Sequence, residues 1–387
     1  MYKIKTLNNI AEEGLNLFND KFEIVDDVDA DGILLRSYKM HDMELPDSLE
    51  AIGRAGAGVN NIPIDRCSEK GIVVFNTPGA NANAVKELVM AGLLLASRDI
   101  VGAIDWAKTL KGKGEEVPKL VEAGKSNFVG PEVRGKTLGV IGLGAIGVLV
   151  ANAAKRLGME VLGYDPFISV ESAWELNHNI QKSDSLDELF MKSDYITIHV
   201  PLMDATKGMI NEEKINLMKD GVRLLNFSRA GLCNDTDLEK ALESGKVARY
   251  ITDFPYDKVL NMKNVVCIPH LGASTPESEV NCAVMAVSEV KDYIENGNIT
   301  NSVNYPECNM GVCNAAGRIA VNHKNIPYMV SNITTALASK NINIIDMINK
   351  SKKDWAYTLI DVESKITDEI VDGLKEIEGI VKVRVLK

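Results

Sequence analysis

The sequence predicts an α/β fold of parallel strand-helix units closed by a small α+β tail, and three patterns predict it. Short apolar runs alternate with helical runs through most of the chain, as in parallel strands joined by crossover helices. In the middle of the chain, Gly142-Leu143-Gly144-Ala145-Ile146-Gly147 follows one apolar run and opens a helical one. Beyond residue 316 the order changes to strand, helix, strand, strand, helix, strand, the ferredoxin-like βαββαβ arrangement.

Taken in order, residues 32–36, 49–56 and 71–76 are apolar runs of strand length bounded by turn residues. A helical pattern over 84–111 leads to the centre, where strands at 136–141 and 159–164 flank the glycine run and the helix at 148–157. Further strands are expected at 195–201, 222–228, 248–254 and 265–269. Thr275 is placed to cap, and Pro276 to open, a helix reaching residue 296, after which 300–305 returns to the first segment. In the tail, strands at 318–322, 343–350, 357–363 and 381–386 surround helices at 327–340 and 368–377.

The glycine run carries a definite chemistry in this setting. Gly142 permits the tight turn, Gly144 lets backbone amides approach a pyrophosphate, and Gly147 lets the helix pack closely, with the helix N-terminus favouring the phosphate charge. Asp165, ending the next strand, suits an adenosine ribose and repels a 2′-phosphate, so NAD is expected over NADP. Gly56-Ala57-Gly58-Val59-Asn60-Asn61 resembles a second such turn but lacks the third glycine and a following helix. It reads as a backbone ligand cradle or a simple turn.

Composition narrows the class. With 387 residues, 45% hydrophobic and 25% charged, the chain has material for two or three cores. A net charge of −11 argues against nucleic acid and anionic membrane as partners. The longest apolar run, near 88–96, is short of the roughly 20 residues of a membrane-spanning helix. No basic-then-apolar segment starts at Met1, and the six cysteines show no CxxC pair or zinc-ligand spacing. A reduced, cytoplasmic setting without a metal is expected.

Moving a hydride from a hydroxyl-bearing carbon needs a base for the hydroxyl proton and a cation for a neighbouring carboxylate. Arg229 and His270 both sit where strands are expected to end, the side on which open α/β sheets bind ligands. Arg229 reads as a carboxylate ligand or as a surface arginine of a strand-to-turn segment. His270 is followed by Leu271 and Gly272, leaving room for a cofactor, and an imidazole is the usual acid or base near neutral pH. His41 and His178 lie in polar surroundings, and His199 ends a strand in a structural or cofactor-lining place.

Together, the glycine run, His199-Val200-Pro201-Leu202, Arg229, Asp253-Phe254 and Pro269-His270-Leu271-Gly272 resemble the D-isomer specific 2-hydroxyacid dehydrogenases over nearly the whole chain. The resemblance implies a Rossmann NAD domain at 98–285, inserted into a flavodoxin-like α/β substrate domain at 1–97 and 286–307, with a ferredoxin-like ACT domain at 316–387. It implies a cleft between the first two. With the tail included, it is nearest to members that oxidise 3-phosphoglycerate to 3-phosphohydroxypyruvate. A hydroxypyruvate or glyoxylate reductase, and an NAD(H)-sensing protein without turnover, remain open.

The roles carried by the resemblance are specific. His270 accepts the proton, Arg229 orients the substrate, and an acid steadies the imidazolium. Where the family has Asp-Val-Phe-x-x-Glu-Pro, this chain has Thr252-Asp253-Phe254-Pro255-Tyr256-Asp257-Lys258. Asp257 falls at the glutamate position, and Asp253 lies one place from the aspartate that holds the nicotinamide end. Cofactor contacts are implied for Gly142, Gly144, Ala145, Ile146, Gly147, Asp165, Pro201, Thr206, Phe227, Ser228, Asp253 and Gly272. Gly58 and Val59 match a substrate-carboxylate cradle. Arg36, Ser37 and Lys39 match a phosphate site, or form a solvated basic turn. In the tail, His323, Asn325 and Asn343 match positions that hold an L-serine effector across a domain dimer, with Tyr328 where glycine is common. A homodimer or homotetramer follows from the same resemblance.

Overall fold

A computed structural model describes residues 1–27 and 29–387 and divides them into two compact units, Met1–Asn81 with Pro276–Lys387, and Ala82–Thr275. The first unit begins with a five-stranded parallel sheet of β1 (Tyr2–Thr6), β2 (Phe22–Val25), β3 (Gly32–Leu35), β4 (Ala51–Arg54) and β5 (Val73–Asn76), ordered β2-β1-β3-β4-β5. The sequence reading anticipates β3 to β5 and misses β1 and β2. The physical reason is burial: all four residues of β3 are buried, whereas β1 buries only Ile4 and the edge strand β2 only Phe22.

Ala82–Thr275 forms the second unit around a seven-stranded parallel sheet. Its strands are β6 (Thr137–Ile141), β7 (Glu160–Tyr164), β8 (Gln181–Lys182), β9 (Tyr195–Ile198), β10 (Val222–Asn226), β11 (Val247–Thr252) and β12 (Val265–Cys267), ordered β12-β11-β10-β9-β6-β7-β8. The chain runs outward from β6 through β7 to β8, then returns to β9 and runs the other way. This reversal beside β6 is the switch point at which doubly wound sheets bind ligands.

The boundary expected after residue 97 lies one helix past the observed one, and that expected at residue 285 falls inside helix Pro276–Asn296. Helix Ala82–Ser97 packs on helix Ala145–Arg156 and on β10 and β11, with Val85, Val89 and Leu93 in the core of the second unit. Helix Pro276–Asn296 instead lies on β3, β4 and β5, with Ala283, Ala286, Val287 and Val290 in the core of the first. The helix expected over 84–111 is broken after Ser97, because the Asp99 side chain accepts from Gly102 N at 3.2 Å and caps a new helix, Ile100–Lys108.

After the long helix the chain meets the first sheet again. The strand expected at 300–305 is a single antiparallel bridge, Ser302 opposite Phe75. Beyond it Asn304 replaces the ladder with its side chain: Oδ1 accepts from Val74 N at 2.9 Å, and Nδ2 donates to Ile72 O at 2.9 Å. The tail is a four-stranded antiparallel sheet of β13 (Gly317–Lys324), β14 (Ile344–Lys352), β15 (Trp355–Val362) and β16 (Ile380–Val385), ordered β14-β15-β13-β16. Helices Met329–Ser339 and Asp368–Lys375 cover one face, on Ile319, Val321, Ile360 and Val362.

The tail's other face is fastened to the unit by buried arginines. Arg318, fully buried, sets its fork on Asp361 at 2.6 and 2.8 Å and donates to Asn296 O at 3.1 Å and Gly311 O at 2.7 Å. Arg384 pairs with Glu50, lies 4.4 Å over the Tyr293 ring, and donates to Tyr293 O at 3.3 Å and Ile294 O at 3.1 Å. Both cations therefore meet carbonyls at the C-terminal end of helix Pro276–Asn296, where the helix dipole favours positive charge. Among the described residues, no helix is long and apolar enough to cross a membrane.

Two stability tests follow from these buried charges. Asp361→Asn leaves the Arg318 guanidinium buried without its counter-charge and should cost about 3–5 kcal/mol in denaturant unfolding. Glu289, buried on the long helix, accepts from Asn301 Nδ2 at 2.7 Å, and burial pushes its carboxyl up to about 8. Because the folded value is the higher one, its contribution to stability is fully present below the ordinary glutamate range and is lost as pH rises through about 8. Glu289→Gln should therefore melt progressively higher than the parent between pH ~5 and ~8, by on the order of 1 kcal/mol per unit at most, and level off above. A constant difference across that window would contradict the assignment.

Candidate active site

In the second unit, the ends of six strands supply the chemistry. After β6 the chain turns at Gly142, whose φ of 89° is in the region that favours glycine, and a Cβ there would lie 2.5 Å from His199 O. Gly147 is tighter still, since its Cβ would sit 1.9 Å from Gly142 O. Helix Ala145–Arg156 starts from Gly144 with no side chain capping it, and a Cβ on Gly144 would meet nothing within 4 Å. The first helical amides, those of Ala145, Ile146 and Gly147, thus open onto uncrowded space, which fits a pyrophosphate.

Asp165, after β7, accepts from Leu143 N and from Phe167 N, each at 2.8 Å. Its carboxylate is pinned beside the glycine turn, fitting a ribose and opposing a further phosphate. His199 is half-buried, with Nε2 at 2.9 Å from Thr197 Oγ1, and burial pushes its imidazole down to about 3. A neutral, bonded ring of this kind shapes the turn. Thr206 Oγ1 donates to Pro201 O at 2.6 Å and holds the loop after β9.

After β10, Phe227 is buried against Gly92, so only its backbone is open to a ligand. Ser228 Oγ donates to Ile198 O at 2.6 Å. The turn that presents Arg229 is organised by the buried Asn226, which the sequence reading does not single out: its Oδ1 accepts from Ser228 N at 3.1 Å, and its Nδ2 donates to Arg229 O at 2.9 Å. Arg229 is exposed, with Nη1 donating to Ser228 O at 2.6 Å.

The structure brings Asp253, not Asp257, to His270. Asp253 follows β11, is 1% exposed, and has Oδ2 3.4 Å from where a Gly272 Cβ would stand. Burial pushes its carboxyl up, and the positive charges of His270 and Arg229 act against that rise, so the three groups share one electrostatic site. Asp253 Oδ1 is buried with no partner among the described residues. His270 is exposed, its ring centroid 4.9 Å from that of Phe254. Asp257, expected to be the acid paired with the histidine, opens the short helix Asp257–Leu260 and faces solvent, so no described contact joins it to His270.

The first unit holds the remaining candidates. Arg36, Ser37 and Lys39 follow β3, where Arg36 Nη1 holds Glu279 Oε1 at 2.5 Å and Lys39 is exposed. Arg54, which the sequence reading passes over, ends β4 and donates Nε to Arg36 O at 3.1 Å. Gly56, with φ of 143°, leaves room for the Arg54 guanidinium, and Asn76 Nδ2 donates to Ala57 O at 2.6 Å, shaping the turn that carries Gly58 and Val59.

The tail corrects one expectation. His323 is buried, with Nδ1 2.8 Å from Lys324 O, and Nε2 2.8 Å from Thr358 Oγ1 and 3.2 Å from Asn349 Nδ2. Both ring nitrogens are used inside the domain, so this side chain offers an effector nothing. Asn325 and Asn343 are exposed, Asn325 Nδ2 donating to Lys353 O at 2.9 Å.

Comparison with known proteins gives the family. The family model of the D-isomer specific 2-hydroxyacid dehydrogenase NAD binding domain matches residues 90–272. The chain is 33% identical over 363 residues to the D-3-phosphoglycerate dehydrogenase of Methanocaldococcus jannaschii, covering 89% of this chain and 64% of that one. It is 31% identical over 376 residues to that of Haemophilus influenzae, covering 94% and 88%. The chain spans about half the length of the Archaeoglobus fulgidus and Synechocystis relatives, 52% and 54%. Among solved structures, the NAD+-bound 3-phosphoglycerate dehydrogenase of Entamoeba histolytica is similar with a TM-score of 0.59 and 30% identity, over 78% of this chain and 98% of that one.

The two aspartates can be told apart by measurement. Asp253→Asn should lower kcat by roughly 100-fold, while its melting temperature at neutral pH holds or rises because a buried charge is removed. Asp257→Asn should lower kcat by less than about fivefold, and the reverse ranking would return the acid role to Asp257.

Proposed function

The chain belongs to the D-isomer specific 2-hydroxyacid dehydrogenases, and on that footing we propose that it oxidises 3-phosphoglycerate to 3-phosphohydroxypyruvate with NAD, the oxidation that opens L-serine synthesis. The observation that carries the reading is the electrostatic grouping of Arg229 and His270 with Asp253, whose Oδ2 lies 3.4 Å from the place of a Gly272 Cβ. Arg229 takes the substrate carboxylate with its planar fork. The His270 imidazole accepts the hydroxyl proton as the carbonyl forms, and the buried Asp253 carboxylate favours the resulting imidazolium through its charge. When bound at the Gly142 turn, the dinucleotide supplies the hydride acceptor. Asp165, locked by two amides, supports NAD over NADP.

The phosphate is assigned to Arg36, Ser37 and Lys39, with Arg54 beside them. The 2.5 Å pair with Glu279 supports an anion there, since it already aims the Arg36 fork at a carboxylate. The solvated position of this pair makes it weak, so a phosphate can displace it. L-serine is proposed as an effector of the tail, met at Asn325 and Asn343 and not at His323. Pairing of two copies into a dimer or tetramer is supported by β14, which lies at an edge of its sheet.

NADH formation measured across 3-phosphoglycerate, D-glycerate and D-lactate tests the proposal. The phosphorylated substrate should be preferred, and Arg36→Ala should lower its kcat/KM by about tenfold or more, with a smaller loss on D-glycerate. Equal losses would favour a hydroxypyruvate or glyoxylate reductase. NADH binding with no turnover of any substrate would leave a sensing protein.

A further inference from the structure

The loop that carries Arg36 and Ser37 is built around one side chain from a different strand. β1 and β3 are parallel neighbours, and Leu7 N continues their ladder by donating to Leu34 O at 2.9 Å. The next residue, Asn8, delivers Oδ1 to the amides of Arg36, Ser37 and Tyr38 at 2.8, 3.0 and 3.0 Å. Three successive amides converging on one oxygen is how a loop cradles an anion. Here a neutral amide oxygen fills that cradle. The opposite edge of the same loop is held by Asn61, whose Nδ2 donates to Arg36 O at 3.3 Å and Tyr38 O at 2.7 Å.

Resting on the reading of Arg36 and Ser37 as the anion site, we propose that Asn8 is a positioning residue that sets specificity for the substrate's distal anion. By filling the amide cradle with an uncharged oxygen, Asn8 makes the loop present its side chains to the anion while keeping the backbone amides from it. Its neutrality matters as much as its reach. A carboxylate would satisfy the same three amides with stronger hydrogen bonds, yet would place a negative charge next to Arg36. Asn8 Nδ2 has no hydrogen-bond partner among the described residues, leaving a donor at the loop in addition to Arg36, Ser37 and Lys39.

Asn8→Asp separates positioning from mere support. If Asn8 only holds the loop, the aspartate keeps or strengthens the fold and leaves substrate preference as it was. If it sets specificity, the melting temperature holds or rises while the preference for 3-phosphoglycerate over D-glycerate, as a ratio of kcat/KM, falls about tenfold through KM. An unchanged ratio in Asn8→Asp, alongside a lowered ratio in Arg36→Ala, overturns the role of Asn8 alone. An unchanged ratio in both overturns the anion site on which the proposal rests. Asn8→Ala adds a second readout, because opening the cradle should let inorganic phosphate inhibit at several-fold lower concentration than in the parent. Unaltered phosphate inhibition in that variant counts against the cradle.

Discussion

A backbone amide at the end of a parallel strand has lost its ladder partner, and taking up such amides with side-chain oxygens is the constraint on which the candidate sites depend. Asp165 takes the amides of Leu143 and Phe167, Asn226 that of Ser228, Thr77 that of Gly56, and Asn8 those of residues 36–38. Each pin is short, so its reach fixes the loop closely and Arg229, Arg36 and the glycine turns inherit that order. The start of helix Ala145–Arg156, after β6, is left without such a pin, because Gly144 offers no capping side chain. The amides there are suited to a phosphate, because no side chain among the described residues caps them.

The tail obeys a different constraint. A small four-stranded sheet with two helices on one face exposes its other face unless something covers it, and here that face lies on the first unit through Arg318 and Arg384. Burying two guanidiniums is expensive, and each is met by a carboxylate together with carbonyls at one helix end. The Arg384–Glu50 pair joins the tail to the first sheet, whereas Arg318 pairs with Asp361 within the tail and reaches the long helix through its remaining donors. Arg384 reaches Glu50, immediately before β4, and the far end of β4 carries Arg54 beside the loop of Arg36. A rigid strand thus runs from the tail's attachment to the candidate anion site.

What the sequence discloses is what repeats or what is spaced along the chain. Apolar runs reveal the inner strands, and the glycine run reveals its turn, because both are local patterns. β1 and β2 escape notice, since lysines and a glutamate break their runs and one buried residue each is too little signal. Asn8 and Asn226 escape for another reason: a polar residue becomes a pin only through partners that folding brings to it, and Asn8 finds its partners in the loop after β3, with β2 between them along the sequence. Spacing likewise misdirects attention to Asp257, because a helix starting at that residue turns it to solvent. His323 matches an effector position in sequence, yet Thr358 of β15 and Asn349 of β14 use its ring.

Asp253 shows why function and stability diverge here. A carboxylate that is 1% exposed, with one oxygen lacking any described partner, is held against its own hydration. Its neighbours Arg229 and His270 favour its charge, and in return it favours theirs. The interaction is therefore reciprocal, and it strengthens when a proton arrives on His270 and a second positive charge must be accommodated beside Arg229. A buried negative charge placed under two cationic side chains is a poor choice for a core. It suits the proposed reaction, in which His270 takes up a proton, because a positive charge arriving there gains the attraction of the carboxylate. The cost falls on the folded protein at all times, whereas the benefit would fall on the proposed proton transfer.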